Sequence, residues 1–297
     1  MAKRRLTVWY IRAALGPERS RNRSRFIKEA FTGADFTIMY PDRVRRLGGR
    51  ARADITIVEG SGGSALAASI PRFEKRSGFR VFQPNWSRSR RHFKRQRKEL
   101  QRIHYHLVLP DQRTWLAEWK KAHHRVFFVD RGFDPAVFYP GPEKQKTRDI
   151  VFCGNSQAFG RIHRLEAMAA AFPGRVEWNT KRMYHQEMSE FLRSGRIGWN
   201  QILRCSPVGI NYRVWEVIGC ELLLLCSRSS CVTGVLEDGQ QAVFWDDTDD
   251  LLEKAAYYLD HHRERKRIAA AGHVLAMQEH TWAHRGRQIR EIIEAHL

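Results

Sequence analysis

Nothing in this sequence is long and apolar enough to cross a bilayer. Its conspicuous apolar block, Leu222 to Cys226, falls far short of the roughly 20 residues a membrane span needs. The basic start MAKRRLTVWYIRAALG lacks the apolar core and small-residue cleavage site of a secretory signal. The expectation is a cytoplasmic protein without a transmembrane segment. Cysteine is sparse: five residues (Cys153, Cys205, Cys220, Cys226, Cys231), an odd number with no C-x-x-C spacing, argue against a disulfide framework or a thiolate metal site. Buried, reduced thiols and no tightly bound metal are expected. Acidic residues are scarce in one half only. Residues 1–140 hold 31 Lys and Arg against 12 Asp and Glu, leaving 21 against 20 for residues 141–297. Almost the whole formal charge of +20 therefore belongs to the first half and points to a polyanionic partner.

What is present is a rhythm of short apolar runs and helix-forming stretches. LTVWYI, FTIMY, ITIV, FRVFQ, YHLVL and RVFFV read as strands, with segments such as SRFIKEAF and RHFKRQRKELQRI between them. Strands alternating with helices predict an α/β fold with a parallel, doubly wound sheet. Turn and linker residues in DRGFDPAVFYPGPEKQKTRD interrupt the pattern, and it restarts at DIVFCGN. The expected organisation is two Rossmann-like domains, 1–140 and 141–297, facing across a cleft, with the last helix free to pack back on the first. After AVFWDD the chain reads as helical to its end, first through DDLLEKAAYYLDHHRERKRIAAAG.

In GINYRVWEVIGCELLLLCS, Arg213 and Glu216 stand three residues apart on a short helix before a leucine strand. At the carboxyl edge of a parallel sheet, a helix N-terminus offers N–H groups and partial positive charge to phosphate. Arg213 could there meet a diphosphate and Glu216 a ribose diol. The plain alternative is an ion pair on a solvated helix face.

The surrounding residues shift the balance towards the first. YRVWEVIGCELLLLCS, the turn LEDGQQAVFW, the YYL helix and the closing HTWAHR resemble the carboxy-terminal domain of GT-B glycosyltransferases, the CgeB-like and group 1 members in particular. The likeness spans about residues 130–290, and DRGFDPAVFYP is similar to the interdomain linker of that family. It implies that Arg213 contacts a donor diphosphate, Glu216 the ribose, and Gly154 and Asn155 of the CGNSQ loop the phosphate region. It further offers Asn200, Arg204, Ser229 and Ser230 for the sugar pocket. The implied cofactor is a nucleotide sugar such as UDP-glucose. Two positions depart from the family: Val208 stands where a second glutamate is common, and Trp215, read as core, replaces a more usual phenylalanine.

The acceptor is argued from charge. RSRNRSRFIK, RVRRLGGRAR and WSRSRRHFKRQRK contain no acid, and each follows a strand, so all three begin at the same sheet edge. Arg21, Arg23, Arg25, Arg45, Arg46, Arg88, Arg90, Arg91, Lys94 and Arg95 are candidates for a nucleic-acid backbone, with Trp86 or Phe93 available to stack or wedge. The expected activity is transfer of a sugar to a hydroxymethylated pyrimidine in DNA, of the kind found in phage genomes, with the base flipped from a duplex. Glu59, which opens a glycine-rich turn containing EGSGG, is the first candidate base, a capping or salt-bridged carboxylate being its alternative. His106 is the second, with His92 and His104 behind it. Gly16 could permit close approach of a ligand. A glycosyltransferase acting on a cell-surface glycan or lipid, and a non-catalytic DNA-binding protein on the same scaffold, are the competing readings.

Overall fold

A computed structural model describes residues 4–12, 23–46, 51–60, 70–84, 89–181, 183–202 and 210–297, leaving aside the side chains at 41, 42, 45, 70–72 and 159. Arg21, Trp86, Arg88, Arg204, Cys205 and Gly16 lie outside the described residues, as does the Arg45 side chain. Contacts divide the chain into one unit of residues 1–130 with 283–297 and a second of residues 131–282. The division falls at Asp130, ahead of the change in composition.

The first unit is built on β1 (Thr7–Ile11), β2 (Asp35–Met39), β3 (Ala53–Glu59), β4 (Ser77–Gln83) and β5 (Leu107–Val108). These pair in the order β2-β1-β3-β4-β5, every pairing parallel. A parallel sheet is covered on both faces, so its inner strands read as continuous apolar runs. In β3, for example, Ile55 and Ile57 face one core while Ala53 and Val58 face the other. The last helix, Trp282–Glu294, contributes Ile289 and Ile293 to the first of these cores. Gly286 lets it approach the Arg23–Ala30 helix, since a Cβ there would stand 2.5 Å from the Phe26 carbonyl oxygen.

The second unit carries β6 (Ile150–Cys153), β7 (Val176–Asn179), β8 (Ile197–Asn200), β9 (Leu223–Ser227) and β10 (Val243–Trp245) in the order β10-β9-β8-β6-β7, again all parallel. Two cores explain the leucine block: Leu222, Leu224 and Cys226 enter one, Leu223 and Leu225 the other. Full burial of each such side chain stabilises by about 1.5–3 kcal/mol. Cys153, Cys220, Cys226 and Cys231 are buried, and burial pushes the thiols of Cys220 and Cys226 up to about 12. No helix among the described residues is long and apolar enough to cross a membrane.

Two elements differ from the sequence reading. RVFFV forms an isolated bridge, Val126 to Val108, and not a full strand. Backbone bonds run from Val108 to Arg125, from Phe127 to Val108 and from Val129 to Pro110, but Pro110 has no N–H with which to continue the ladder. The long carboxy-terminal helix breaks at His261 into Thr248–Asp260 and His262–Glu279. The Arg265 guanidinium takes the carbonyls of Tyr258 and Leu259 at that break, capping the end of the first helix.

Candidate active site

At the carboxyl edge of the second sheet, β8 ends at the buried Asn200. Asn200 and Asn211 exchange long amide contacts of 3.4 and 3.5 Å, and Asn211 caps the helix Tyr212–Gly219 by accepting from the Val214 N–H at 3.3 Å. That helix packs tightly on β8 because of Gly198: a Cβ there would lie 2.4 Å from Val217 Cγ1. The cap and the glycine together place Arg213 in the first turn, at the edge where a phosphate would find free N–H groups. Arg213 Nη1 lies 2.9 Å from Glu216 Oε2. The pair is not on a solvated face, for the Arg213 side chain is 15% exposed and that of Glu216 only 1%. Trp215 is core, as expected, stacked on the buried ring of His280 at 3.9 Å.

Arg161 was not legible as a site residue, since only chain folding brings it here. Starting the helix Arg161–Ala171, it donates to the carbonyls of Asn155 at 3.2 Å and Gln201 at 2.9 Å. Burial depresses its pKa, and Arg213 adds to the depression through repulsion between two nearby guanidiniums. Such a pair at a helix N-terminus favours an anion between or beside its members. Gly154 donates its N–H to Asn179, and exposed Asn155 closes a turn by accepting from the Gln157 N–H. Ser229 caps the four-residue helix Ser230–Thr233, which occupies its hydroxyl, while Ser230 is exposed. At the neighbouring strand ends, Ser227 Oγ bridges the Ile202 N–H and carbonyl.

At the carboxyl edge of the first sheet, the residues assigned separately to catalysis and to nucleic acid meet one another. Arg23 reaches Glu59 Oε1 at 2.8 Å through Nη2 and Asp111 Oδ2 at 3.2 Å through Nη1. All three side chains are 12% exposed or less, so Arg23 serves this internal cluster and not an outer phosphate surface. Glu59 is salt-bridged to Arg23, and Asp111, after β5, is a member that sequence reasoning missed. Tyr10 donates to Gln83 Oε1 at 3.0 Å, and burial together with Glu59 pushes its phenol well above the ordinary value.

His106 stands apart from this cluster. It precedes β5, accepts at Nδ1 from the Arg80 N–H at 2.9 Å and stacks on Phe79 at 4.8 Å. Its place before the strand removes it from the carboxyl edge. Burial first, then Arg80 and His104, lower its pKa. His92 and His104 use their backbone N–H groups on Ser89 and Glu74.

Of the basic stretches, the third is the best described. Ser89 caps the helix Arg90–Arg97, from which Phe93 and Gln96 point inward. Phe93 is stacked on Trp115 at 4.9 Å and is not available to wedge between bases. Arg90, Arg91, Lys94, Arg95, Arg97 and Lys98 are exposed, and among the described residues none has a carboxylate within 4.0 Å. An open groove of about 890 Å³ runs along them. Arg90 and Arg91 lie in the first turn, where cations oppose the helix macrodipole. Arg46 is likewise exposed, whereas Arg25 is paired with Glu29 at 2.8 Å.

Residues 148–291 match the model of a family described as glycosyl transferase-like. No protein of curated function matches the sequence. HepE of Anabaena, solved with UDP and glucose, superposes with a TM-score of 0.70 at 10% identity, over 98% of this chain and all of HepE. An α-glucosyltransferase solved with UDP and a 13-mer DNA containing an HMU base gives a TM-score of 0.71 at 12% identity, over 98% of this chain and 100% of the other. Sucrose-phosphate synthase of Thermosynechococcus elongatus gives 0.68 at 9%, over 98% and 99%. At such identities the likeness carries the fold, and the family match carries the activity. The chain is a glycosyltransferase of the GT-B fold, similar over residues 148–291 to the glycosyl transferase-like family.

Proposed function

We propose that the protein transfers a sugar from a nucleotide-sugar donor, UDP-glucose or a close relative, to a hydroxyl on a modified DNA base such as a 5-hydroxymethylpyrimidine. The observation that carries the acceptor is the exposed helix Arg90–Arg97, whose cations lack acidic partners among the described residues and two of which oppose their own helix dipole. Such a helix is better suited to a phosphate backbone than to its own stability. The folds solved with UDP, and one of them with DNA containing an HMU base, agree with this reading of donor and acceptor.

In this reading Arg213 and Arg161 hold the donor diphosphate with the N-terminus of the helix Tyr212–Gly219. Glu216 receives the ribose diol and also holds Arg213. As the acceptor oxygen bonds to the anomeric carbon, the bond from that carbon to the diphosphate breaks and its electron pair departs with the phosphate. The hydroxyl proton passes to a base. Glu59 remains the first candidate, and Asp111, bound to the same Arg23 at the carboxyl edge of the first sheet, takes the place of His106 as the second.

Incubation with hydroxymethylated and unmodified duplexes and a panel of radiolabelled nucleotide sugars tests the proposal. Label should enter the hydroxymethylated duplex alone. Transfer to a glycan or lipid with none to any DNA would overturn the acceptor, and no transfer to anything would leave the non-catalytic reading standing. Arg213→Lys should lower the rate by about 10²-fold, the scale of losing one well-placed donor to a developing anion.

A further inference from the structure

The second unit has another charged site on the opposite, amino edge of its sheet. Lys146 leads towards β6, Arg196 into β8 and Glu221 towards β9. With Glu143, Arg265 and Lys266 they line a cavity of about 240 Å³. At roughly 30 Å³ per water, that is room for a phosphate group carrying a short hydroxylated body.

The charges around the cavity are unequally matched. Lys266 is paired with Glu143 at 2.9 Å and Arg196 with Asp149 at 3.3 Å. Lys146 and Arg265 have no carboxylate within 4.0 Å among the described residues. Among the described residues the Lys146 ammonium reaches the Gly195 carbonyl, at 3.3 Å. Arg265 is 4% exposed, and its hydrogen bonds to Tyr258 and Leu259 both use Nη1. Among the described residues Nε and Nη2 of this cavity-lining guanidinium make no hydrogen bond. Burial is the leading influence on both groups and disfavours their charged forms, outweighing the attraction of Glu143 and Glu221 for Lys146. A buried Arg265 and a half-buried Lys146 without counter-charges are costly, and an anion in the cavity would supply one.

Glu221 gives the site a second character. Its φ of +56° lies in the left-handed region just past the end of the helix Tyr212–Gly219, where glycine or asparagine is usual. A glutamate there places a carboxylate at the cavity, near Lys146 but without an ion pair to it. That carboxylate can accept from hydroxyls.

We propose that this cavity is a second ligand site, binding a small phosphate-bearing anion on Lys146 and Arg265, with Glu221 accepting from any hydroxyl the anion carries. Nothing in sugar transfer requires it, and it lies at the sheet edge away from Arg213.

The test is calorimetric titration of the full chain with inorganic phosphate and with glycerol 3-phosphate, against chloride at matched ionic strength. Saturating UDP masks the donor site, and an Arg90→Gln, Arg91→Gln, Arg95→Gln background removes the basic helix. A saturable event should persist under both conditions and weaken about tenfold or more in Lys146→Met and in Arg265→Gln, the scale of a charged hydrogen bond. Lys146→Met is the safer variant, because Arg265 also caps a helix. An unchanged isotherm in Lys146→Met, or equal heats from chloride, would overturn the proposal. Tighter binding of glycerol 3-phosphate that is lost in Glu221→Gln identifies an organic phosphate. Equal affinity for the two anions identifies free phosphate.

Discussion

The Arg213–Glu216 pair shows what a residue pattern conveys and what it withholds. R-x-x-E placed both side chains on one helix turn, but the depth of the glutamate depends on Trp215, His280 and the core beneath, which no local spacing encodes. Because Glu216 is 1% exposed, removing Arg213 takes a counter-charge from a buried carboxylate. Arg213→Met should therefore cost about 3–5 kcal/mol, and adding Glu216→Leu should recover much of that loss. Urea unfolding of the four species in a double-mutant cycle reads the difference; independent, additive costs would place the two charges in separate environments. Arg161 and the Arg23–Glu59–Asp111 cluster were illegible for a related reason. The members of the cluster lie far apart in sequence, and two of Arg161's partners are backbone carbonyls that carry no residue signature. His106 offers a test through protons. Its folded pKa lies below the ordinary 6.5, so the unfolded chain binds the proton first as pH falls. Its contribution to stability is present above pH 6.5 and declines below it. His106→Asn, which keeps an acceptor for the Arg80 N–H, should flatten part of the decline in unfolding free energy between about pH 7 and 5.

At the scale of elements, strands were the most legible feature because a parallel sheet demands apolar residues on both faces. Helix boundaries were less so. The break at His261 rests on Arg265 reaching back to two carbonyls, and YYLDHHRERK contains neither glycine nor proline to announce it. The position of the helix Tyr212–Gly219 rests on an equally quiet residue. Gly198 reads as part of an ordinary strand, yet it sets the distance between that helix and β8, and therefore where Arg213 stands. Gly198→Ala forces a methyl into Val217 and should destabilise by about 1–3 kcal/mol. It should also weaken nucleotide binding, since the helix must move with Val217. Adding Val217→Ala should restore much of both. Full retention of nucleotide affinity in Gly198→Ala would mean that the donor site tolerates displacement of its helix.

At the scale of the whole molecule, the charge asymmetry and the closing helix make separate demands. Neutralising Arg90, Arg91 and Arg95 should lower the slope of log affinity for DNA against log salt by about 2.7 if each contacts one phosphate of a duplex. An unaltered slope would move the nucleic-acid surface off this helix. The alternation of strands and helices made two sheets legible along the chain and left the last helix free to pack back on the first unit, without saying which residues it would meet there. Its amphipathic pattern does not name its partner. Ile289 and Ile293 enter the core of the first unit, and Arg290 donates to the Ala30 carbonyl at 2.8 Å. Two fully buried isoleucines are worth about 3–6 kcal/mol, comparable with much of a domain's net stability of roughly 5–15 kcal/mol. Deleting residues 283–297 should consequently unfold the first unit while leaving residues 131–282 with their own transition. Calorimetry combined with limited proteolysis separates the outcomes. Early cleavage confined to residues 1–130 is expected, whereas an unshifted transition of both units would show that the helix is dispensable. Ile289→Ala with Ile293→Ala should produce the same selectivity in milder form, because it removes the burial and leaves the helix's polar contacts in place.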